Sequence, residues 1–522
     1  MEELVISKIE WDNTRLKFYM NKKVDNFLVL KNNNNKKIEI LKEWIKDNVI
    51  SIPITYTNSD EMLSVGSWNL YLNNNKCRIS IDEAKELENR TKVFFYGKDN
   101  YTYIVSFFID DLFNLNIKVS YMMKNKKNGR RRIMIESNNI VDVTKKIAAF
   151  LAKKTIQIYY NIVRTFSKSK KDKILLMSQT RSPISGNLKA LDERLKERKL
   201  DKKYKIYYSF GKVLQEKISI LYWIDLINKI AKSDYIFVDD YAPIFTFLKL
   251  KNSKLIQVWH AGVGFKNLGY SRFGKEGSPH PNDSAHRKYD YVTVAAEEHI
   301  QIYQEVFGLT KEHFIVTGLP RLDGYLDKEK IAKVKEELYQ INNLWKNKKI
   351  ILFAPTYRGK GQNDAYYDFD KIDFEKLYDL CKEKYIVLFK FHPFIKEKID
   401  IKEKYKKVFF DMSSYKDINE LFYITDILIT DYSSNIYEYS LFEKPIIYFA
   451  YDLEQYTCLR GIHRKKEDFP GELCNNFNEV LEIIKKNNFN LEQIKKFKRE
   501  NFKYNDSKNC DRVIDTILIN QK

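Results

Sequence analysis

A chain of 522 residues is too long for one hydrophobic core and calls for two to four domains. Its 44% apolar and 14% aromatic content exclude disorder along the whole length. A formal charge of +21 points to an anionic partner (nucleic acid, an acidic membrane surface or a polyanionic substrate), although abundant Lys, Ile and Asn also fit compositional drift.

The cysteines are Cys77, Cys381, Cys458, Cys474 and Cys510, scattered and without a CxxC pair. That argues against a disulfide framework or a zinc site and fits a reducing compartment. The opening MEELVISKIEWDN is charged and has no apolar h-region, so no signal peptide is expected. No run of about 18 apolar residues predicts a membrane span, so any membrane contact would be from one side.

In chain order, residues 1–137 read as a small, mostly β domain. Short runs rich in Val, Ile, Tyr and Phe recur at Leu4–Trp11, Leu16–Met20, Phe27–Leu30, Val49–Tyr56, Trp68–Leu72, Lys92–Phe95 and Tyr101–Phe108. Asn, Asp and Lys turns separate them, the pattern of a sandwich or barrel, with no competing helical period. Residues 138–172 change character. Val141–Ser167 carries apolar Ile147, Phe150, Leu151, Ile156, Ile158 and Ile162, and charged Lys145, Lys146, Lys153, Lys154 and Arg164. This fits a basic amphipathic helix lying on a membrane, or a linker helix packed on its neighbours.

From Asp172 strands and helices alternate, which implies parallel sheets covered on both faces. Residues 173–327 are expected to form one Rossmann-like lobe and residues 328–522 a second, with a cleft between them. The fold class is therefore α/β, two Rossmann-like lobes behind a mostly β domain. Ligands in such sheets sit at the carboxyl ends of the strands.

The polar residues of interest fall at those ends. His260 follows the run Leu255–Trp259 in WHAGVGFKNLGYS, with Gly262, Gly264, Gly269 and Lys266 after it. A neutral imidazole there suits a general base, and glycines let backbone approach a ligand; a structural His capping a strand fits equally. Thr356 and Arg358 follow Lys349–Phe353, His392 follows Ile386–Lys390, and Asp431, Ser433 and Ser434 follow Ile427–Thr430. An arginine fork, a histidine and a helix N-terminus on three strand ends of one lobe describe a diphosphate site, whereas Ser433 and Ser434 alone would be ordinary N-caps. Asp239 and Asp240, after Tyr235–Val238, either contact a hydroxylated substrate or cap the next helix. There is no GxGxxG, no GxxxxGK[ST] and no metal-spaced His/Cys cluster.

Taken together, WHAGVGFKNLGYS, VTGLPRLD, ILFAPTYRG, KFHP, ITDYSSNIYEYSLFEKPIIYFAYDLEQY and Pro470-Gly471 resemble, in order, the CDP-glycerol glycerophosphotransferase family of teichoic acid synthesis. The resemblance is strong from Asp234 to Pro470 and looser from Asp172. It implies GT-B-like lobes and peripheral attachment to the cytoplasmic face of an anionic membrane. It also implies transfer of glycerol phosphate or ribitol phosphate from CDP-glycerol or CDP-ribitol to a membrane-linked polyanionic polymer, releasing CMP, with no cofactor or metal required. By position, His260 matches the family's base and His392 its second essential histidine, which supports the donor phosphates. Thr356, Arg358, Asp431, Ser433 and Ser434 fall in the donor pocket, and Glu438 is expected to face the ribose. The run His260-Ala261-Gly262-Val263-Gly264-Phe265-Lys266 departs from the His-Gly-Thr-Pro-Leu-Lys of many members, which leaves the polyol open. The alternative is a GT-B glycosyltransferase with a nucleotide-sugar donor. A nucleic-acid partner is not expected, since no module for one is present, and homo-oligomerisation is left open.

Overall fold

The structure is a computed structural model. It describes residues 4–520 apart from 25–27, 33–35, 56, 58–61, 73–74, 97–100, 111, 124–139, 168–170, 212–218, 261–267, 273–283, 360–363, 461, 463 and 465.

The N-terminal part is built from two sheets facing each other across one core. One sheet includes Val5–Asp12, Arg15–Met20 and Val49–Pro53; the other includes Leu28–Asn32, Gly66–Leu72, Lys92–Tyr96, Tyr101–Ile109 and Leu115–Met123. In Arg15–Met20 the period of two sends Leu16, Phe18 and Met20 inward. They join Ile6, Ile50 and Ile52, and meet Trp68, Tyr103, Ile117 and Val119 of the opposite sheet. Of the expected sandwich or barrel, the sandwich is present. Leu115–Met123 is an additional strand, and two short helices, Ile81–Lys85 and Leu87–Arg90, occur where no helix was expected.

The basic segment folds as a helix, Ile140–Phe166. Ile156, Tyr159, Tyr160 and Val163 face the first lobe. Arg164, expected on the charged face, is buried instead. Its guanidinium donates to the carbonyls of Ala231, Ser233, Lys251 and Asn252, which fasten the helix to the lobe. The side chains of Lys145, Lys146 and Ile147 lie outside the described residues.

Two six-stranded parallel sheets follow. The first contains β1 (Lys173–Ser178), β2 (Lys205–Phe210), β3 (Tyr235–Val238), β4 (Lys254–Gln257), β5 (Tyr291–Val294) and β6 (Phe314–Val316), in the order β2-β1-β3-β4-β5-β6. The second contains β7 (Lys349–Phe353), β8 (Tyr385–Phe389), β9 (Phe409–Asp411), β10 (Ile427–Thr430), β11 (Ile446–Phe449) and β12 (Glu472–Cys474), in the order β9-β8-β7-β10-β11-β12. The inner strands, such as β3, β8, β10 and β11, are fully buried and almost entirely apolar, as strands covered on both faces must be. Strand order reverses between β1 and β3 in one sheet and between β7 and β10 in the other. These switch points open crevices at the strands' carboxyl ends.

The N-terminal sandwich docks on the first lobe. Tyr270 enters its core, Thr14 donates to Glu305 (2.8 Å), and Arg287 donates to the Thr55 carbonyl. The chain end, read from sequence as finishing the second lobe, returns to the first. Val513, Ile514 and Ile517 pack on Ile174 and Leu188, Arg194 grips both oxygens of Asp511 (2.8 and 2.7 Å), and Tyr204 donates to the Leu518 carbonyl (2.8 Å).

Candidate active site

At the second lobe's switch point the register Phe353↔Ile429 brings the loops after β7 and β10 together. Asp431 is fully buried and accepts from the backbone N–H of Thr356 (2.8 Å) and of Tyr432 (2.6 Å), and from Arg358 Nη1 (2.8 Å). Arg358 also meets Asp452 side-on, Nε to Oδ2 at 2.6 Å and Nη2 to Oδ1 at 2.8 Å. The rings of Tyr367, Tyr432, Tyr451 and Tyr456 surround the guanidinium at 5.2–5.8 Å. Burial opposes its charge, but Asp431 and Asp452 outweigh burial and hold its pKa above the ordinary value. Asp452 occupies the fork of Arg358 that was expected to meet a donor phosphate. Asp431 and Thr356 likewise bind each other. A cavity of about 910 Å³ opens beside this cluster, lined among others by Arg358, Tyr366, Tyr451, Asp452 and Asn476.

The helix expected to start at Ser433 is shorter, Asn435–Ser440. Ser433 Oγ accepts from the Asn435 N–H (3.3 Å), and Ser434 stands at the N-cap without a side-chain capping bond. Glu438, expected toward a ribose, is buried in an ion pair with Arg321 of the first lobe.

Arg321 lies in the short turn Pro320–Leu322 beyond β6. Its Nη2 donates to Glu438, and its Nη1 donates to the carbonyl of His260. One guanidinium thus ties the two lobes together at the backbone of His260. Asn187, fully buried, braces the same point: its Nδ2 donates to the carbonyls of Val258 (2.8 Å) and Trp259 (2.5 Å), and its Oδ1 accepts from the Arg321 N–H (3.0 Å). Trp259 needs the bracing, because its φ of 25° is strained for a side-chain-bearing residue, at a cost of about 1–3 kcal/mol.

The two histidines are held in opposite senses. His260 Nδ1 lies 2.6 Å from the carbonyl oxygen of Asp239. A carbonyl only accepts, so Nδ1 carries the proton and Nε2 presents a lone pair. Burial, with Arg181 and then Arg321 nearby, pushes the His260 pKa down to about 3, which keeps the ring neutral. His392 Nδ1 accepts from the backbone N–H of Phe394 (3.2 Å). In the neutral ring its Nε2 therefore carries the hydrogen. Tyr357 and Phe394 flank this imidazole, with centroids at 4.7 and 4.6 Å.

Asp239 and Asp240 close the first lobe's switch point. Asp240 Oδ2 accepts from Ser178 Oγ (2.5 Å), Thr180 N (3.1 Å) and Thr180 Oγ1 (2.5 Å), so it secures a turn rather than capping a helix. Asp239 Oδ2 accepts from Arg181 Nη1 (3.1 Å), and burial raises its pKa to about 6. Gly262 and Lys266 lie outside the described residues. Gly269 serves packing: with φ 48°, a Cβ there would stand 2.1 Å from the Val306 carbonyl oxygen. Sequence reasoning missed Arg181, Asn187, Arg321 and Asp452. Arg321 lies inside VTGLPRLD and Asp452 inside ITDYSSNIYEYSLFEKPIIYFAYDLEQY, so both sat in quoted motifs without a role.

The sequence profile of the family described as CDP-Glycerol:Poly(glycerophosphate) glycerophosphotransferase matches residues 158–519. The chain is 37% identical over 358 residues to the teichoic acid ribitol-phosphate polymerase TarL of Staphylococcus aureus (strain NCTC 8325 / PS 47), covering 68% of this chain and 64% of that one. It is 39% identical over 387 residues to a teichoic acid poly(ribitol-phosphate) polymerase of Bacillus spizizenii (strain ATCC 23059 / NRRL B-14472 / W23), covering 73% and 62%. The chain thus spans a little under two thirds of the length of these relatives. The solved structure of the wall teichoic acid polymerase TagF superposes with a TM-score of 0.57 at 22% identity, over 73% of this chain and 98% of that one. That likeness is one of fold, and it agrees with the expected GT-B-like pair of lobes.

Proposed function

The chain belongs to the CDP-glycerol:poly(glycerophosphate) glycerophosphotransferase family, and from that premise we propose that it transfers a polyol phosphate from a CDP-activated donor to a hydroxyl of a teichoic-acid-type polymer. The observation that carries the mechanism is the opposed setting of His260 and His392. The acceptor hydroxyl gives its proton to Nε2 of His260, a ring already neutral and oriented by Asp239. The freed oxygen attacks the β-phosphorus of the donor. A new P–O bond forms there as the bond to the bridging oxygen breaks, and CMP leaves with that oxygen. His392 donates from Nε2 to the diphosphate, where charge accumulates on the leaving group. Arg358, Asp431 and Thr356 act beneath this site by fixing the loops after β7 and β10. Ser433 and Ser434 lie on the latter loop beside the donor phosphates.

Ribitol phosphate is the favoured group. The ribitol-phosphate polymerases named above are 37–39% identical to this chain, whereas the teichoic acid poly(glycerol phosphate) polymerases of Staphylococcus epidermidis and Bacillus spizizenii are 32% and 30% identical. The enzyme works at the cytoplasmic face of a membrane. No helix among the described residues is long and apolar enough to cross one. Instead Phe150, Leu151, Ile158, Ile162 and Phe166 are exposed on the outer side of the helix Ile140–Phe166. Ile220 and Leu221, at the start of the adjoining helix Ile220–Lys232, are each 77% exposed. With Lys153 and Lys154 they make an apolar face with cationic flanks, suited to an anionic bilayer surface.

The test is product analysis with purified protein, a defined lipid-linked acceptor and CDP-ribitol, CDP-glycerol and UDP-sugars. Stoichiometric CMP and polyol-phosphate addition from CDP-ribitol are expected. Transfer from a UDP-sugar alone would overturn the reading.

A further inference from the structure

A second arginine stands at the first lobe's switch point, and it is held differently from Arg358. Arg181 follows β1 in a turn fixed on both sides. Ser178 Oγ accepts from the N–H of Arg181 (3.1 Å) and of Thr180 (3.3 Å), and Asp240 fastens Ser178 and Thr180 in turn. Of five guanidinium N–H groups, Arg181 gives one to Asp239 Oδ2, at 3.1 Å. Its side chain is 30% exposed. Among the described residues no other partner of its guanidinium is present, and it is not stacked on a ring.

Arg358 meets Asp452, and Arg194 meets Asp511, through both carboxylate oxygens side-on. Arg181 takes one oxygen, while Asp239 Oδ1 is buried with no partner among the described residues. The carboxylate works as an anchor on one edge of the guanidinium and leaves its remaining donors available. Space is kept for it by Gly186, at φ 57°, where a Cβ would come within 3.3 Å of Nη1.

The position of the anchor decides what the free edge can reach. Asp239 holds Arg181 through its side chain and His260 through its carbonyl oxygen. The cation and the imidazole are therefore mounted on one residue, and Arg181 is close enough to depress the basicity of His260. A substrate that places a hydroxyl at His260 Nε2 and carries an anion a few bonds away would put that anion at Arg181. The end of a polyol-phosphate chain has that form: a terminal hydroxyl, a short polyol and a phosphodiester.

We propose that Arg181 is an acceptor subsite, binding the phosphodiester of the polymer's terminal unit so that the unit's free hydroxyl meets His260. The assignment rests on the polyol-phosphate transfer reading above. It places acceptor recognition in the first lobe and leaves the donor diphosphate to the second. The helix that starts at Gly186 adds a favourable N-terminal field, since its N-cap Ser185 makes no capping bond.

Equilibrium binding tests the assignment separately from turnover. A short oligo(ribitol phosphate) and CDP are titrated, each alone, into wild-type protein, Arg181→Ala and Arg181→Gln. The glutamine can keep a hydrogen bond to Asp239, which guards against a folding defect, and thermal melts check both variants. The oligomer's affinity should fall about tenfold or more in both variants, as loss of a charge-assisted contact implies, while CDP binding stays within about twofold. Unchanged oligomer affinity in a folded Arg181→Gln variant would overturn the proposal. A selective loss of CDP affinity would also overturn it, by moving Arg181 to the donor. Failure of the transfer reading would show elsewhere, as wild-type protein that produces no CMP from any CDP-polyol.

Discussion

The two switch points carry the same residue types and use them in opposite ways. In the second lobe Arg358 is enclosed by Asp431, Asp452 and four tyrosine rings, and its fork is filled. In the first lobe Arg181 has one bond to a carboxylate and keeps an open edge. Equal chemistry at equal topological positions therefore yields a structural pin in one case and an exposed cation in the other. Burial and the number of carboxylates make the difference, and neither is visible from the residue types alone.

That contrast can be broken most forcefully at Arg358. Arg358→Ala leaves Asp431 and Asp452 without a cation in a buried cluster and should cost about 3–5 kcal/mol in urea unfolding. Arg181→Gln should cost less, about 1–2 kcal/mol in the same assay, because Arg181 is 30% exposed and the glutamine can still donate to the buried Asp239 carboxylate. Equal losses would erase the distinction.

The anchor can be probed through pH. The Asp239 pKa is raised to about 6 by burial, so its carboxyl favours the folded state most below about pH 4, and that contribution is lost as pH rises through 6. Asp239→Asn lacks this loss. Its stability relative to wild type should rise by roughly 2–3 kcal/mol between pH 4 and 8, measured as denaturation midpoints across that range. A pH-independent difference would contradict the buried setting of Asp239. Between the lobes, Glu438→Gln removes the charge that meets Arg321 and should cost about 1.5–3 kcal/mol by denaturant unfolding. A neutral result would mean that the lobes are held together without this pair. The smallest effect concerns the outer surface: replacing Phe150, Leu151, Ile158 and Ile162 by Asn should weaken binding to anionic vesicles about tenfold or more and leave the fold intact, read by sedimentation and circular dichroism.

Much of the architecture was legible because its determinants are local. Alternating apolar runs gave the sandwich strands, and buried runs such as Ile427–Thr430 gave the parallel sheets. The histidines were found because strand-end position follows from those runs. What could not be read depends on contacts between distant segments. Arg321 meets Glu438 across 117 positions and Arg358 meets Asp452 across 94. The same applies to Arg164, whose helical position pointed to solvent but whose guanidinium collects the carbonyls of two loops. The return of Val513 and Ile517 to the first lobe is likewise long-range, since a helical period says nothing of which sheet it will cover.

The central claim is that His260 handles the acceptor's proton and His392 the donor's diphosphate. The most direct measurement sets the dissociation constant for CDP-ribitol beside single-turnover rates for His260→Ala and His392→Ala. The account predicts that His260→Ala binds donor as wild type does and loses about 10²–10⁴-fold in rate, while His392→Ala loses both affinity and rate. Near-normal turnover by a folded His260→Ala variant, or donor affinity lost there and kept in His392→Ala, would contradict it.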